Sequence, residues 1–447
     1  MTAARLVALV SLIGLSACAT ASGPDRAKVA DGIRERSRVA AAIGEARPST
    51  SPPSGVTLQD GLAEEEAIAL ALWNNAAFQL ALADLGLARA DIVDAGMLRN
   101  PVLSFLFPLG PKQLEATVRW PLEVFWQRPR RIAAARANAE AIATRLVQDG
   151  LNLISEVKVA FHDALAADAR VPVAADAGRL QRQIADLAAS RLAAGDISEM
   201  EARAAATDAA RTEQDMRRAE YDAIVAKERV RFLTGIGAAI ADIKLAASAA
   251  APAPNACGDI VKIRQDAAAA RPDVRAAELA VEAAGARAGW ERSRLLTLSA
   301  VLDANGSGSQ GFEMGPGLDA EIPLFARNQG QIARADAELE RASRAYLATR
   351  QRVDLEIRES AARYDQASRD AALWQDSILR ALERDVEVAQ KTYTAGEQPY
   401  LFVVEAARRA ADARLRAIDA AAEVRRTQAR LERAIGRSCA KDGAGAH

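Results

Sequence analysis

The residue best placed for covalent chemistry is Cys18. Arg5 precedes a short apolar run from Leu6 to Leu15, and Leu15-Ser16-Ala17-Cys18 closes it. The run is too short for a transmembrane helix and has the layout of an export signal over residues 1–17. Leu-Ser-Ala-Cys resembles a bacterial lipobox, in which the cysteine is diacylated and becomes the mature N-terminus. An ordinary signal peptide with an incidental cysteine is the alternative. Ala19 and Thr20 follow, with no Asp, a pattern that resembles lipoproteins sorted to the outer membrane. Export leaves Cys257 and Cys439 as an even pair in an oxidising compartment. A Cys257–Cys439 disulfide is therefore one expectation, and two buried thiols the other.

Catalytic groups are scarce. The only histidines are His162 and His447. There is no cysteine pair at metal-ligand spacing, no Gly-rich phosphate loop after a strand and no nucleophile elbow. No enzyme, cofactor or metal centre is expected, and His162 is expected to be packed or solvated. The net charge of −1 argues against nucleic acid. Half the residues are hydrophobic but only 4% are aromatic. Alanine makes up much of that half, which with abundant Arg and Glu describes long, closely packed helices.

The elements appear twice. Trp120-Pro121-Leu122 and Ile322-Pro323-Leu324 each precede a long Ala/Arg/Glu stretch, ending at Ala194-Gly195-Asp196 and Ala395-Gly396-Glu397. A spacing near 200 residues marks a two-fold duplication, not a solenoid. The expected divisions are a lipid-anchored tether at 18–56, a first repeat at 57–246, a linker at 247–257, a second repeat at 258–437 and a tail at 438–447. The first long helix is expected from about Pro129 to Leu192, kinked at Pro172; the second runs from about Gln329 to Thr394. Helices return at about Ser198–Leu233 and Pro399–Ile435.

Each repeat also carries a stretch of period two, expected as hairpins at about 102–120 and 296–322. Leu114, Ala116, Val118 and Trp120 alternate with Glu115, Thr117 and Arg119. Leu298 and Leu302 alternate with Asp303, and Leu318 with Asp319 and Glu321. In a membrane barrel the apolar set faces lipid, and Glu115, Thr117, Arg119, Asp303, Asp319 and Glu321 face the lumen. A soluble sheet with one wet face fits the same periodicity. Trp120, Phe125 and Trp126 are placed as an interfacial belt would be. Arg128, Arg130 and Arg131 are placed to meet headgroups; ordinary helix-start sequence is the alternative.

Helix, hairpin, long helix, Gly turn and helix, duplicated behind a lipobox, resembles the TolC-type outer-membrane efflux proteins over about residues 57–437. The second turn, Tyr393-Thr394-Ala395-Gly396 running into Ala407-Arg408, fits the family pattern. The first, ending at Gly195 and running into Ala202-Arg203, has Ser190 where the tyrosine is usual. The resemblance implies a mainly α fold with a small β part. Three protomers would give a twelve-stranded outer-membrane barrel, continued by a periplasmic α-helical barrel. It implies a passive exit duct working with a periplasmic adaptor and a resistance-nodulation-division pump, and its style is closer to the heavy-metal cation branch than to the drug branch. It places Gly195 and Gly396 at the periplasmic tip and suggests Glu201 and Glu405 as gate candidates, of which only Glu405 matches a family position. A three-fold ring of Glu405 would favour cations and raise its pKa values. An adaptor lipoprotein and a coiled-coil scaffold are the alternatives; neither accounts for two duplicated hairpins.

Overall fold

The computed structural model describes residues 23–39, 43, 56, 61–107, 114–236, 243–246, 271–306 and 311–439. The export signal, most of the tether, the linker, Cys18 and Cys257 lie outside these residues. In chain order the elements are α1 (Arg26–Ser37), α2 (Glu64–Asn74), α3 (Ala76–Gly96), β1 (Val102–Leu106), β2 (Leu114–Pro121), α4 (Val124–Ala193), α5 (Glu199–Thr234) and α6 (Pro272–Ser293). There follow β3 (Thr297–Gly306), β4 (Phe312–Glu321), α7 (Gln329–Ala372), a π-helical segment (Leu373–Leu379), α8 (Arg380–Thr394) and α9 (Tyr400–Ile435).

The helix–hairpin–helix order repeats as the landmarks required, with local differences. The helical stretch before the first hairpin is two helices, α2 and α3, because Asn75 breaks it. Asn75 Oδ1 accepts from the Phe78 amide at 3.0 Å while Nδ2 donates to the Leu233 carbonyl at 3.0 Å. Pro172 does not interrupt α4, which is continuous over 70 residues. The second long helix contains the π-helical segment that sequence periodicity does not announce. The second hairpin lies where it was expected, and its pairing continues through Asn305 and Gly306, which face Glu313 and Phe312.

The chain forms two compact units. One comprises residues 1–29, 82–146 and 272–351, the other residues 30–81, 147–271 and 352–447. Neither coincides with a sequence repeat. Each draws on both halves of the chain, because α4 and α7 contribute residues to both units.

The first unit holds one antiparallel sheet in the order β1-β2-β3-β4. The helices joined to these strands follow the same order. Arg128 Nε of α4 donates to the Gly96 carbonyl of α3 at 2.7 Å, and Arg130 Nη1 donates to the Gly289 carbonyl of α6 at 3.1 Å. Arg292 of α6 pairs with Asp336 of α7 at 2.7 Å. Arg131 Nη2 also donates to the Met97 carbonyl at 2.8 Å. Gly96 is the last residue of α3, so Arg128 satisfies a carbonyl that has no intrahelical partner. Buried Glu123 ties the hairpins to each other by accepting from the Leu298 amide at 3.3 Å.

In the second unit α2, α4, α7 and α9 bury an apolar core that includes Ile68, Leu72, Phe161, Ile357 and Leu431. A charged cluster is set into it. Lys158 meets Glu432 at 2.7 Å, and His162 Nε2 lies 3.2 Å from Glu64. Burial pushes the Glu64 carboxyl up, but His162, Lys158 and Arg425 outweigh it and leave the group below its usual range. His162 is thus packed and paired. Among the described residues no group of His, Cys, Asp and Glu could hold a metal ion.

Candidate functional site

Antiparallel partners share a face of a sheet, so the register sorts the side chains. Val118 pairs with Leu103 and Leu302, and Trp120 with Ala300, which pairs with Leu318. This face carries Leu114, Ala116 and Leu298 as well, and its large side chains are open, with Leu318 69% and Phe105 55% exposed. An apolar sheet face left this open is foreign to a water-exposed surface.

The other face holds the polar set. Thr117 pairs with Asp303 and donates to Oδ1 at 2.8 Å. Asn305 donates to the other Asp303 oxygen at 2.8 Å, and Thr297 donates to Glu321 at 3.0 Å. Arg119 reaches over Val301 on β3 to Asp319 on β4, at 3.2 Å. Five carboxylates (Glu115, Asp303, Glu313, Asp319 and Glu321) share this face with the one guanidinium of Arg119 among the described residues. The outer edges of β1 and β4 have no partner strand within the chain among the described residues.

The two Gly turns are built alike. Gly195 has φ +79° and Gly396 has φ +76°. The Gly195 amide donates to the Leu192 carbonyl at 3.0 Å, and that of Asp196 to the Arg191 carbonyl at 2.9 Å. The Gly396 and Glu397 amides donate to Tyr393 and Thr392 at 2.9 Å each. These are the paired bonds that close a helix over a left-handed glycine. The same bonds put Leu192, not Ser190, where the second turn has Tyr393.

Beyond the glycines the turns diverge. In the first, Ser198 caps α5, and its amide and hydroxyl both donate to Glu201, at 2.8 and 2.9 Å. These bonds hold the Glu201 carboxyl below its usual range. The same place in the second turn has Pro399 and Phe402, and the Tyr393 and Tyr400 rings lie 5.3 Å apart. Tyr400 also donates its hydroxyl to Gln183 at 3.4 Å. The proposed gate pair is therefore unequal, since Glu201 is spent on its own helix.

Glu405 stands one turn into α9, 39% exposed at its side chain. Arg408 donates to it through Nε at 3.1 Å and Nη2 at 3.0 Å, and Arg409 lies 3.4 Å away. Hydrogen bonding and charge from Arg408, with help from Arg409, put the Glu405 carboxyl below its ordinary range. Within one chain this direction is the reverse of the shift expected in a ring of carboxylates. The i, i+3 spacing of Glu405 and Arg408 is the sequence signal that points to it.

Cys439 is buried and disulfide-bonded. Trp120 and Phe125 are largely exposed, with rings 6.4 Å apart. Among the described residues no single helix is long and apolar enough to cross a membrane; α2 and α3 together pass by length and composition, bent by 47°.

Residues 263–437 match the family described as outer membrane efflux protein. The chain is 25% identical over 384 residues to the cobalt-zinc-cadmium resistance protein CzcC of Cupriavidus metallidurans, covering 83% of this chain and 90% of that one. Its fold is similar to that of the outer-membrane channel OprN, with a TM-score of 0.69 and 21% identity over 94% of this chain and 99% of that one. It is also similar to CusC, described in connection with transmembrane channel formation, with a TM-score of 0.65 and 20% identity over 88% and 98%. The adaptor reading is not favoured, because the matched family is one of outer membrane efflux proteins and the similar folds include an outer-membrane channel. Over residues 263–437 the chain matches the outer membrane efflux protein family, and along most of its length it is similar to a metal-resistance relative and shares the fold of outer-membrane channels.

Proposed function

We propose that three copies of this chain close into the passive exit duct of a tripartite pump and that its cargo is metal cations. The observation that carries this reading is the sheet. Four strands with an open apolar face, an acid-rich polar face and two edges unpaired within the chain cannot stand alone in lipid, where every backbone group needs a partner. Pairing β4 of one copy with β1 of the next removes both edges. It turns Val118, Leu302 and Leu318 toward lipid, and Asp303 and Asp319 toward water. The strands β2, β3 and β4, of 8 to 10 residues, are near the length of a tilted membrane strand.

A metal cargo is supported by the similarity to a cobalt-zinc-cadmium resistance protein and by the excess of carboxylates on the polar face. Rings of carboxylates favour cations over anions. The driving energy belongs to an inner-membrane pump of the resistance-nodulation-division type, acting through an adaptor at the tips of Gly195 and Gly396. Cys18 is the lipid anchor.

The test is reversal potential across a planar bilayer under a salt gradient, made alongside native mass. A trimer that prefers cations, and loses part of that preference in Asp303→Asn and Asp319→Asn, supports the reading. A conducting trimer indifferent to charge would leave the duct and remove the metal-cation cargo. A non-conducting monomer would remove both.

A further inference from the structure

On the polar face of the sheet, Asp303, Asp319 and Glu321 each meet a donor from the sheet itself. Both oxygens of Asp303 are engaged, Oδ1 by the Thr117 hydroxyl and Oδ2 by the Asn305 amide, each at 2.8 Å. The Thr297 hydroxyl donates to Glu321 at 3.0 Å. Arg119 Nε lies 3.2 Å from Asp319 Oδ2. To reach it, Arg119 crosses Val301 on β3, and Gly317, opposite Val301 on β4, leaves that path without a side chain. The register sets the three carboxylates in different rows. Residues two apart along a strand stand about 7 Å apart, so these groups do not converge on one point.

We propose that this internal pairing keeps the lining from chelating its cargo, and that Arg119, by occupying Asp319, sets how weakly a divalent cation is held. The proposal rests on the cation duct argued above. Such a duct faces opposed demands. Its carboxylates must attract the ion, yet an ion that exchanges its water for several carboxylate oxygens stays bound and blocks the path. A carboxylate that already holds a donor keeps its negative charge but has fewer lone pairs to offer. An ion entering at Asp319 must break a charge-assisted bond and meet the guanidinium beside it. It therefore passes with its water shell in place. The face attracts by charge without coordinating, and Arg119 is a positioning residue that acts through Asp319.

The experiment uses the full-length trimer carrying K⁺ current in a planar bilayer, with Zn²⁺ added as the probe. The reading is the Zn²⁺ concentration that halves the current. Arg119→Ala is expected to lower it several-fold, and Arg119→Lys to stay near the parent. Adding Asp319→Asn to Arg119→Ala should return it to the parent value, because the released carboxylate is then gone. Thr117→Val has the same shape without the hydroxyl. It removes the donor from one Asp303 oxygen and should shift the reading in the same direction, so it carries the test if Arg119→Ala yields no trimer. A trimer of either variant that Zn²⁺ blocks no more readily than the parent overturns the inference while leaving the duct. A shift that survives the added Asp319→Asn also overturns it, since Arg119 would then act through the net charge of the lumen alone. A parent trimer without cation preference removes the metal duct and the inference with it.

Discussion

Arg408 holds the carboxylate of Glu405 from one turn further along α9, with Nε and Nη2 at 3.1 and 3.0 Å. The pair is exposed enough for water to weaken it, so its worth lies in charge placement more than in stability. Arg408→Ala releases the carboxylate. In the trimer this is expected to raise cation preference, read as a larger reversal potential, and Glu405→Gln is expected to lower it. Because the folded pKa lies below the ordinary value, Glu405 stays ionised as pH falls from neutral to the usual carboxylate range near 4.3. Conductance governed by Glu405 should therefore be flat from about pH 7 to 5 in the parent. A titration step there that disappears in Glu405→Gln would show that a ring of carboxylates overrides Arg408.

Glu201 is predicted to behave differently. Its carboxylate caps α5 through Ser198, so Glu201→Gln should speed amide exchange over the first turn of α5 and leave conductance unchanged. The folded pKa is lowered. The stabilising effect is thus complete above the unfolded carboxylate range and fades as pH falls through the lowered value. A conductance change equal to that of Glu405→Gln would make Glu201 a gate residue after all.

Gly195 and Gly396 adopt the left-handed backbone, with nothing within 4 Å of an added Cβ. Alanine at either position meets only backbone strain, about 1 kcal/mol. Hydrogen exchange should rise at the altered turn alone, with the thermal midpoint of the trimer nearly unchanged. A broad loss of protection along α4 or α8 would mean that the turn supports more than itself.

Glu64 and His162 predict an acid-sensitive contribution to stability. Glu64 has a lowered folded pKa, so its contribution is present above the unfolded carboxylate pKa and is lost as pH drops through the folded value. Glu64→Gln should cost about 2 kcal/mol at neutral pH, the range of a hydrogen bond to a charged group. The cost should shrink in acid. Equal destabilisation at pH 7 and pH 4, followed by thermal unfolding in detergent, would assign the effect to packing.

Cys439 is disulfide-bonded, and Cys257 is the partner proposed for it. Cys439→Ser should therefore expose one maleimide-reactive thiol at Cys257 and cost about 2–4 kcal/mol. A new thiol at Cys18 instead would redirect the pairing and argue against acylation there.

Much of the architecture is legible in short windows. Strand alternation from Leu114 to Trp120 is visible because side chains on a strand point alternately to two faces. The glycines at 195 and 396 are visible because a helix that reverses needs a left-handed residue, and glycine accepts it without strain. Residues of the candidate sites are readable by type and position, but their partners are not. Glu201 and Glu405 both read as carboxylates on a helix that follows a Gly turn, yet one caps its helix and the other meets two arginines.

By itself, then, the sequence determined the duplication, the element order, the turns and the two faces of each hairpin. All of these follow from backbone preferences and periodicities set by residues within a few positions of one another. Tertiary structure alone decided that β2 pairs with β3, that compaction cuts across the repeats, that Asn75 splits the first helix against Leu233, and that Arg119 reaches Asp319. Those outcomes depend on register and packing between segments far apart in the chain, where many arrangements satisfy the same local pattern and only the complete set of buried contacts selects one.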